Sequence, residues 1–394
     1  MQEVTIKKDK NIILDNDIKL FLNPKFAFLP INTGFKLKVK DGDYVYKNDI
    51  VAMDNRGHIV SASISGKVLG IKKMDYYRSK NVPSLVIEND FKENIRAKKS
   101  AKKYINDYTK DEFLQTLSDA SYVYKGKYLV EKFTRSSEVI IINGVELDPY
   151  FGNKYFILRD SIEDILETCD FVAEIMNASK VYFVVKNIDS ELISTITSLL
   201  GTYPNIELKL IGEAYPNGMG ELQKRYFQLE EAEVIDVEEV MAVFDILKRE
   251  RPITSKYITV TGSAVKPKTV IRVKIGTLLS EVFVHNFDFV APKVDVYING
   301  TLYGTKVDTL KWVVDSDIDG IFILEKNEIK EEACLNCGQC SKTCPVGLNP
   351  KFVFDHDGNV KAEYYDKCLQ CGLCNYVCPA NRDLKSRMKG RDSP

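Results

Sequence analysis

Cys334-Leu335-Asn336-Cys337-Gly338-Gln339-Cys340-Ser341-Lys342-Thr343-Cys344-Pro345 is answered further along by Cys368-Leu369-Gln370-Cys371-Gly372-Leu373-Cys374-Asn375-Tyr376-Val377-Cys378-Pro379. Three thiolates at two-residue gaps can wrap three corners of one iron–sulfur cubane from a single loop. Zinc ordinarily takes its cysteines as one close pair followed by a separate pair. A run of four with a trailing proline, occurring twice, suits 4Fe-4S clusters instead. Gly338 and Gly372 stand where a tight ligating loop needs positive φ, which glycine tolerates. Pro345 and Pro379 fix φ and turn the chain away from the cluster.

Each run has the spacing of bacterial two-cluster ferredoxins, in which the fourth cysteine ligates the other cluster. The assignment expected here is Cys334, Cys337, Cys340 and Cys378 on one cluster. Cys368, Cys371, Cys374 and Cys344 take the other. Two linked clusters favour one-electron transfer over a purely structural role.

Working outward, the chain of 394 residues has room for two to four domains. It is 44% hydrophobic and 28% charged with a net charge of −1, an ordinary globular balance. That balance excludes broad electrostatic binding to nucleic acid, which needs clustered Lys and Arg. No apolar run approaches the roughly 18 residues of a membrane span, and Met1 to Lys10 lacks the apolar core of a signal peptide. The expected location is the cytoplasm, or peripherally on the cytoplasmic membrane. Eight of the nine cysteines crowd between Cys334 and Cys378, which reads as metal ligation rather than a disulfide framework. The ninth, Cys169, lies on an apolar helical stripe and is expected in the core.

From Phe26 to Val86 the chain reads as short strands. Phe35-Lys36-Leu37-Lys38-Val39-Lys40 alternates, and Asp41-Gly42-Asp43 and Asp54-Asn55-Arg56-Gly57 make turns. With Ser65-Gly66-Lys67-Val68, this resembles the barrel-sandwich hybrid fold of biotinyl and lipoyl carriers, although the hairpin tip carries no lysine for modification. The lysine-rich stretch Lys92 to Lys103 reads as a solvated linker. Strands at Glu138–Ile142, Val181–Val185 and Leu208–Ile211 alternate with helices, which indicates a parallel α/β layer. One helix is expected to start at an Asp160 or Ser161 cap and to bury Ile162, Ile165, Leu166, Cys169, Val172, Ile175 and Met176. A second covers Glu191 to Leu200. Strands at Tyr257–Gly262, Val270–Val273 and Val294–Ile298, with a short helix from Leu278 to Phe283, form a further mixed β unit. The basic tail, Arg382 to Arg391, reads as a frayed solvated end.

In order and spacing the chain resembles the RnfC subunit of the Rnf ion-translocating ferredoxin:NAD oxidoreductase complex and the soluble relatives of that subunit. The segments that carry the likeness, besides the cysteine runs, are Asn143-Gly144-Val145-Glu146-Leu147-Asp148-Pro149-Tyr150, Tyr215-Pro216-Asn217-Gly218-Met219-Gly220-Glu221-Leu222-Gln223 and Val260-Thr261-Gly262-Ser263-Ala264-Val265. The resemblance implies a multidomain α/β plus β chain. Its parts are a barrel-sandwich hybrid domain at 1–92 and an α/β domain resembling the flavin-binding subunit of complex I at 104–250. A β-grasp (SLBB) domain at 255–325 and a dicluster ferredoxin-like α domain at 330–385 follow. It also implies a redox partner protein, a ferredoxin or a flavoprotein.

One departure bears on cofactors. The family carries a glycine-rich loop before the Asn143-Gly144 segment, and backbone N–H groups there approach phosphates. This chain has Ala120-Ser121-Tyr122-Val123-Tyr124-Lys125-Gly126-Lys127-Tyr128-Leu129 instead. Tyr122, Tyr124 and Tyr128 should block close approach, so FMN and NADH are not carried over; Lys125, Lys127 and Glu146 are the remnants of such a site. The expectation is an electron-transfer subunit with two 4Fe-4S clusters, acting in an Rnf-type membrane assembly. The alternatives are a soluble adaptor for a cytoplasmic reductase of the proline reductase type, a flavin-dependent NADH dehydrogenase subunit with an atypical loop, and a binding module with structural clusters.

Overall fold

The computed structural model describes residues 17–96, 103–187, 189–212, 214–250, 252–327, 330–355 and 362–388. Met1 to Lys10, Lys98, Lys99, Lys102 and the tail after Met388 lie outside the described residues.

The alternating N-terminal strands close two small antiparallel sheets on each other. One has the order Phe26–Pro30, Ser79–Asn89, Gly66–Tyr76, Tyr44–Val45; the other has Lys36–Leu37, Ile50–Met53, Ile59–Ser61. Ala27, Leu29, Val45, Val51, Ala62, Ile64, Val68, Leu85 and Ile87 fill the space between them. Each large side chain there stabilises the unit by about 1.5–3 kcal/mol. Gly66 is required: its φ is +153°, and a Cβ would collide with the carbonyl oxygen of Glu88 on the paired strand. The long hairpin formed by Gly66–Tyr76 and Ser79–Asn89 projects beyond this core. At its tip Arg78 Nε meets Asp317 Oδ2 at 2.5 Å.

The α/β layer has four parallel strands, in the order Ile206–Ile211, Lys180–Lys186, Val139–Asn143, Glu233–Asp236. Ile162, Ile165, Leu166, Cys169, Val172, Ile175 and Met176 are all buried, as the periodicity requires. Burial also holds the Cys169 thiol protonated, well above its usual range. The helix that carries them begins earlier than the Asp160 or Ser161 cap. It runs Asn153–Ile175, and Ser161 interrupts it at φ −145°, ψ 29°. The cap at its true start comes from outside the helix: Glu146 Oε1 accepts from Lys154 N at 2.6 Å and Tyr155 N at 3.2 Å. Two of the N–H groups that every helix start leaves unbonded are satisfied in this way.

The third unit is a six-stranded mixed sheet, in the order Lys19–Phe21, Thr269–Lys274, Ser255–Thr261, Gly320–Glu325, Val294–Ile298, Thr305–Val307. Its edge strand Lys19–Phe21 comes from the N-terminal stretch and pairs parallel with Thr269–Lys274, away from the barrel. The helix Leu279–Asn286 buries Leu279, Val282 and Phe283 on this sheet. Asn299 (φ 62°) and Gly300 (φ 96°) open the loop that joins Val294–Ile298 to Thr305–Val307. The cysteine segment follows as five short helices, Gln339–Thr343, Pro350–Asp355, Ala362–Asp366, Leu373–Tyr376 and Leu384–Arg387.

Ile165 is fully buried in the α/β core. Ile165→Ala should therefore destabilise the chain by about 2–5 kcal/mol, read as a lowered denaturation midpoint; an unchanged midpoint would contradict the core assigned to that helix.

Candidate functional site

The two cysteine runs adopt the same backbone. Asn336 and Gln370 both have φ 54°, Gly338 and Gly372 have φ 72° and 75°, and Gly347 and Asn381 have φ 72° and 52°. Each run thus turns through left-handed residues at matched positions, which bends the loop around a centre. A short helix leads from the loop to the fourth cysteine in each copy.

Cys344, from the first run, lines one small cavity with Cys368, Cys371 and Cys374 from the second. Backbone and side-chain N–H groups point at these sulfurs. Leu348 N donates to Cys344 Sγ at 3.3 Å, and Gln370 N and Nε2 donate to Cys368 Sγ at 3.4 and 3.5 Å. Burial raises the thiols of Cys368, Cys371 (to about 11) and Cys374 (to about 12). Among the described residues no three His, Cys, Asp or Glu side chains converge on a single metal ion. Hydrogen bonds join the flanks of the two runs. Glu332 N donates to Ala380 O at 3.0 Å and Asp383 N to Glu331 Oε1 at 2.9 Å, which sets the start of the first run beside the end of the second. Pro345 is buried and Pro379 exposed.

The copies differ in their surroundings. The second loop is seated on the body of the protein. Tyr215 OH donates to Cys371 O at 2.6 Å. Leu373 and Leu369 pack with Tyr215, Met219, Leu222, Leu302 and Tyr303. A Cβ on Gly372 would collide with the carbonyl oxygen of Leu302, whereas one on Gly338 would meet nothing within 4 Å. Lys385 Nζ donates to the carbonyls of Leu302 (2.7 Å), Tyr303 (2.6 Å) and Gly304 (3.2 Å). This corrects the reading of the basic tail as a frayed end: through Met388 it is anchored, with Leu384 and Met388 buried.

Sequence reasoning missed Tyr215, Lys385 and the 299–304 loop as supports of the cysteine site. Nothing local marks them, because their partners lie 156 and 81–83 positions away.

A second polar cluster lies at the C-terminal edge of the parallel sheet, where open α/β sheets ordinarily bind ligands. Asp236 is its centre. Its carboxylate accepts from Asn143 Nδ2 (2.8 Å), Lys154 Nζ (2.5 Å), Lys125 Nζ (3.0 Å) and Tyr124 OH (3.1 Å). Burial alone would raise it, but Lys125 and Lys154 hold it far below the usual carboxylate range. Asp236 also caps the helix Val237–Arg249 in a reciprocal arrangement with Glu239. Tyr124 OH further donates to Glu238 Oε2 at 2.6 Å. The 120–129 segment thus presents side chains, not a row of N–H groups, to this edge. Lys127 is exposed, and Glu146 serves as the helix cap described above. Desolvation raises Glu146 to about 7.

Comparison with known proteins gives three partial matches. Residues 2–92 match the RnfC barrel sandwich hybrid domain, 116–225 the Nuo51 FMN-binding domain, and 320–382 a 4Fe-4S dicluster domain. The RnfC subunit of the proton-translocating ferredoxin:NAD(+) oxidoreductase complex of Clostridium ljungdahlii is 25% identical over 80% of this chain and 73% of its own length. Its counterpart in the Na(+)-translocating complex of Acetobacterium woodii is 22% identical over 81% and 77%. The counterpart in the ion-translocating oxidoreductase complex of Pasteurella multocida is 24% identical over 83% of this chain, which spans only 42% of that protein.

The two glycines should separate on substitution. Gly338→Ala carries only the strain of a positive φ, about 1–2 kcal/mol. Gly372→Ala adds a backbone collision with Leu302 and should cost clearly more, read as a larger loss of thermal stability. Equal losses would show that the second loop is not seated against Leu302.

Proposed function

We propose that this chain, which belongs to the RnfC-like family and is an electron-transfer iron–sulfur protein, relays electrons between two clusters with crossed ligation. Cys344 joins Cys368, Cys371 and Cys374 on one; Cys334, Cys337, Cys340 and Cys378 hold the other. The observation that carries this reading is the single cavity shared by Cys344 and the three cysteines of the second run. A bound 4Fe-4S cluster takes up and returns one electron at a time. The chain's own residues do the rest. Gly338 and Gly372 allow the loops to close, Pro345 and Pro379 redirect the chain, and N–H donors at Leu348 and Gln370 stabilise negative charge on sulfur.

The domain assignment that goes with it is barrel-sandwich hybrid at 1–92, α/β unit at 104–250, β-grasp (SLBB) unit at 255–325 and dicluster unit at 330–385. The β-grasp reading is supported by a helix packed on a mixed sheet whose strands Ser255–Thr261 and Gly320–Glu325 run parallel. The reading omits FMN and NADH from the α/β unit. Its support is Asp236, saturated by Tyr124, Lys125, Lys154 and Asn143.

The partner is another redox protein, a ferredoxin or a flavoprotein. Among the described residues no helix is long and apolar enough to cross a membrane. Peripheral attachment to Rnf membrane subunits is the setting favoured by the names of the relatives. The filled nucleotide edge favours a second setting, an adaptor of the proline reductase type in the cytoplasm that is fed by a protein rather than by NADH.

Protein purified without oxygen should contain about eight irons with matching labile sulfide and no stoichiometric flavin. Tightly bound flavin, bleached by NADH together with the cluster absorbance, would defeat the flavin-free reading. Two zincs without sulfide would defeat the whole reading. In addition, Cys344→Ala should abolish the electron paramagnetic resonance signal of the cluster held by Cys368, Cys371 and Cys374. Loss of the other cluster alone would show that the ligation is not crossed.

A further inference from the structure

Among the described residues, Lys385 is the one charged side chain in the wall of the cavity that Cys344 shares with Cys368, Cys371 and Cys374. It is half-buried, and both of its ends are held. Its backbone belongs to the helix Leu384–Arg387, which is fixed by the buried Leu384 and Met388 on either side of it. Its ammonium donates to the carbonyls of Leu302, Tyr303 and Gly304, in the loop that joins Val294–Ile298 to Thr305–Val307. The charge is thereby kept at the cavity instead of reaching out into water, as the end of a lysine ordinarily does. The first run has a lysine at the matched place: Lys351 precedes Lys385 by 34 positions, the spacing that separates Cys334 from Cys368. Its side chain is 34% exposed and pairs with Asp355. An exposed pair of this kind is screened by water and by its own opposite charge. The same residue type therefore stands in two electrostatic settings.

Adding an electron to a bound cluster adds one negative charge. Burial opposes that charge, whereas a nearby cation and N–H donors favour it. The second run is the more buried of the two: Cys371 is 9% exposed, while its counterpart Cys337 is exposed. Burial alone would make the cluster of the second run the harder one to reduce. We propose that Lys385 raises the potential of the cluster held by Cys344, Cys368, Cys371 and Cys374, so that this buried cluster accepts an electron at least as readily as the exposed one. The proposal rests on the crossed-ligation relay described above and adds to it the residue that balances the two clusters. Gln370 acts in the same direction, because its amide donates to Cys368 Sγ at 3.5 Å. The 302–304 loop belongs to the mixed sheet, so that sheet acts on the cluster at one remove, by holding the ammonium. Reduction passes one electron from the reductant, which is oxidised, to the cluster, which is reduced, and no bond or proton is exchanged.

The experiment is an anaerobic redox titration of the full chain with dithionite, followed by electron paramagnetic resonance, with the two signals assigned through Cys344→Ala. Lys385→Met keeps the length of the side chain and removes its charge. It should make the Cys368 cluster harder to reduce by about tenfold or more in the one-electron equilibrium, a shift of about 59 mV to more negative potential. The other cluster should move clearly less. Lys385→Arg keeps the charge and should stay near the parent. Arg387→Met, at an exposed position on the same helix, should move neither potential. An iron-replete Lys385→Met with an unchanged Cys368 cluster overturns the proposal, and so do equal shifts of both clusters. A shift in Lys385→Arg as large as in Lys385→Met shows that Lys385 only anchors its helix, which also overturns it. If Lys385→Met loses iron, the parent decides: its Cys368 cluster should titrate no more negative than the other, and a potential lower by about 59 mV or more overturns the proposal. Absence of iron and sulfide from the parent, or loss of the other cluster in Cys344→Ala, is a different result and refutes the relay reading itself.

Discussion

The contact between Gly372 and the carbonyl of Leu302 is the constraint on which the C-terminal arrangement turns. Two backbones approach so closely that no side chain fits between them. Lys385 holds the same 302–304 carbonyls from the other side, and Tyr215 reaches the carbonyl of Cys371. Three distant stretches of chain therefore meet around one cysteine loop. Each contact is a polar group satisfied in a largely buried place, where an unmade hydrogen bond would cost about 1–3 kcal/mol. The loop is held in place by these satisfied backbone groups together with the apolar packing of Leu369 and Leu373.

A comparable economy governs the α/β unit. At the C-terminal edge of its sheet the carboxylate of Asp236 has its acceptor capacity used by four donors. Buried charges persist only when paired and hydrogen-bonded, and here Lys125 and Lys154 provide the pairing. This polar cluster also lies at the junction between the parallel sheet and the mixed sheet. Lys125 lies 3.8 Å from Asp319 across that junction.

What could be read from the sequence follows from how local its cause is. The cysteine runs were legible because ligand chemistry dictates their spacing. The apolar stripe from Ile162 to Met176 was legible because burial imposes the helical period. The true start of that helix was not, since its cap is Glu146, outside the helix, rather than a residue at its N-terminus. Lys385 read as solvated because a lysine followed by Ser386 and Arg387 carries no sign of three carbonyls waiting elsewhere. Lys19–Phe21 gave no hint of pairing with Thr269–Lys274, because a parallel edge strand depends on a partner that sequence distance conceals. At Ser121–Tyr128 the sequence marked a departure from a glycine-rich loop; that Tyr124 and Lys125 bond to Asp236 needed the structure.

The seat of the second cysteine loop also has a bearing on assembly. Tyr215, Leu302 and Tyr303 all precede the first ligand, Cys334, in the chain. Domains tend to fold as they emerge from synthesis, N-terminal first. The residues of the receiving surface are thus made before any cysteine of the cluster segment. The cysteine segment is therefore the last part of this arrangement to be made, a short stretch laid against residues that the ribosome delivered earlier.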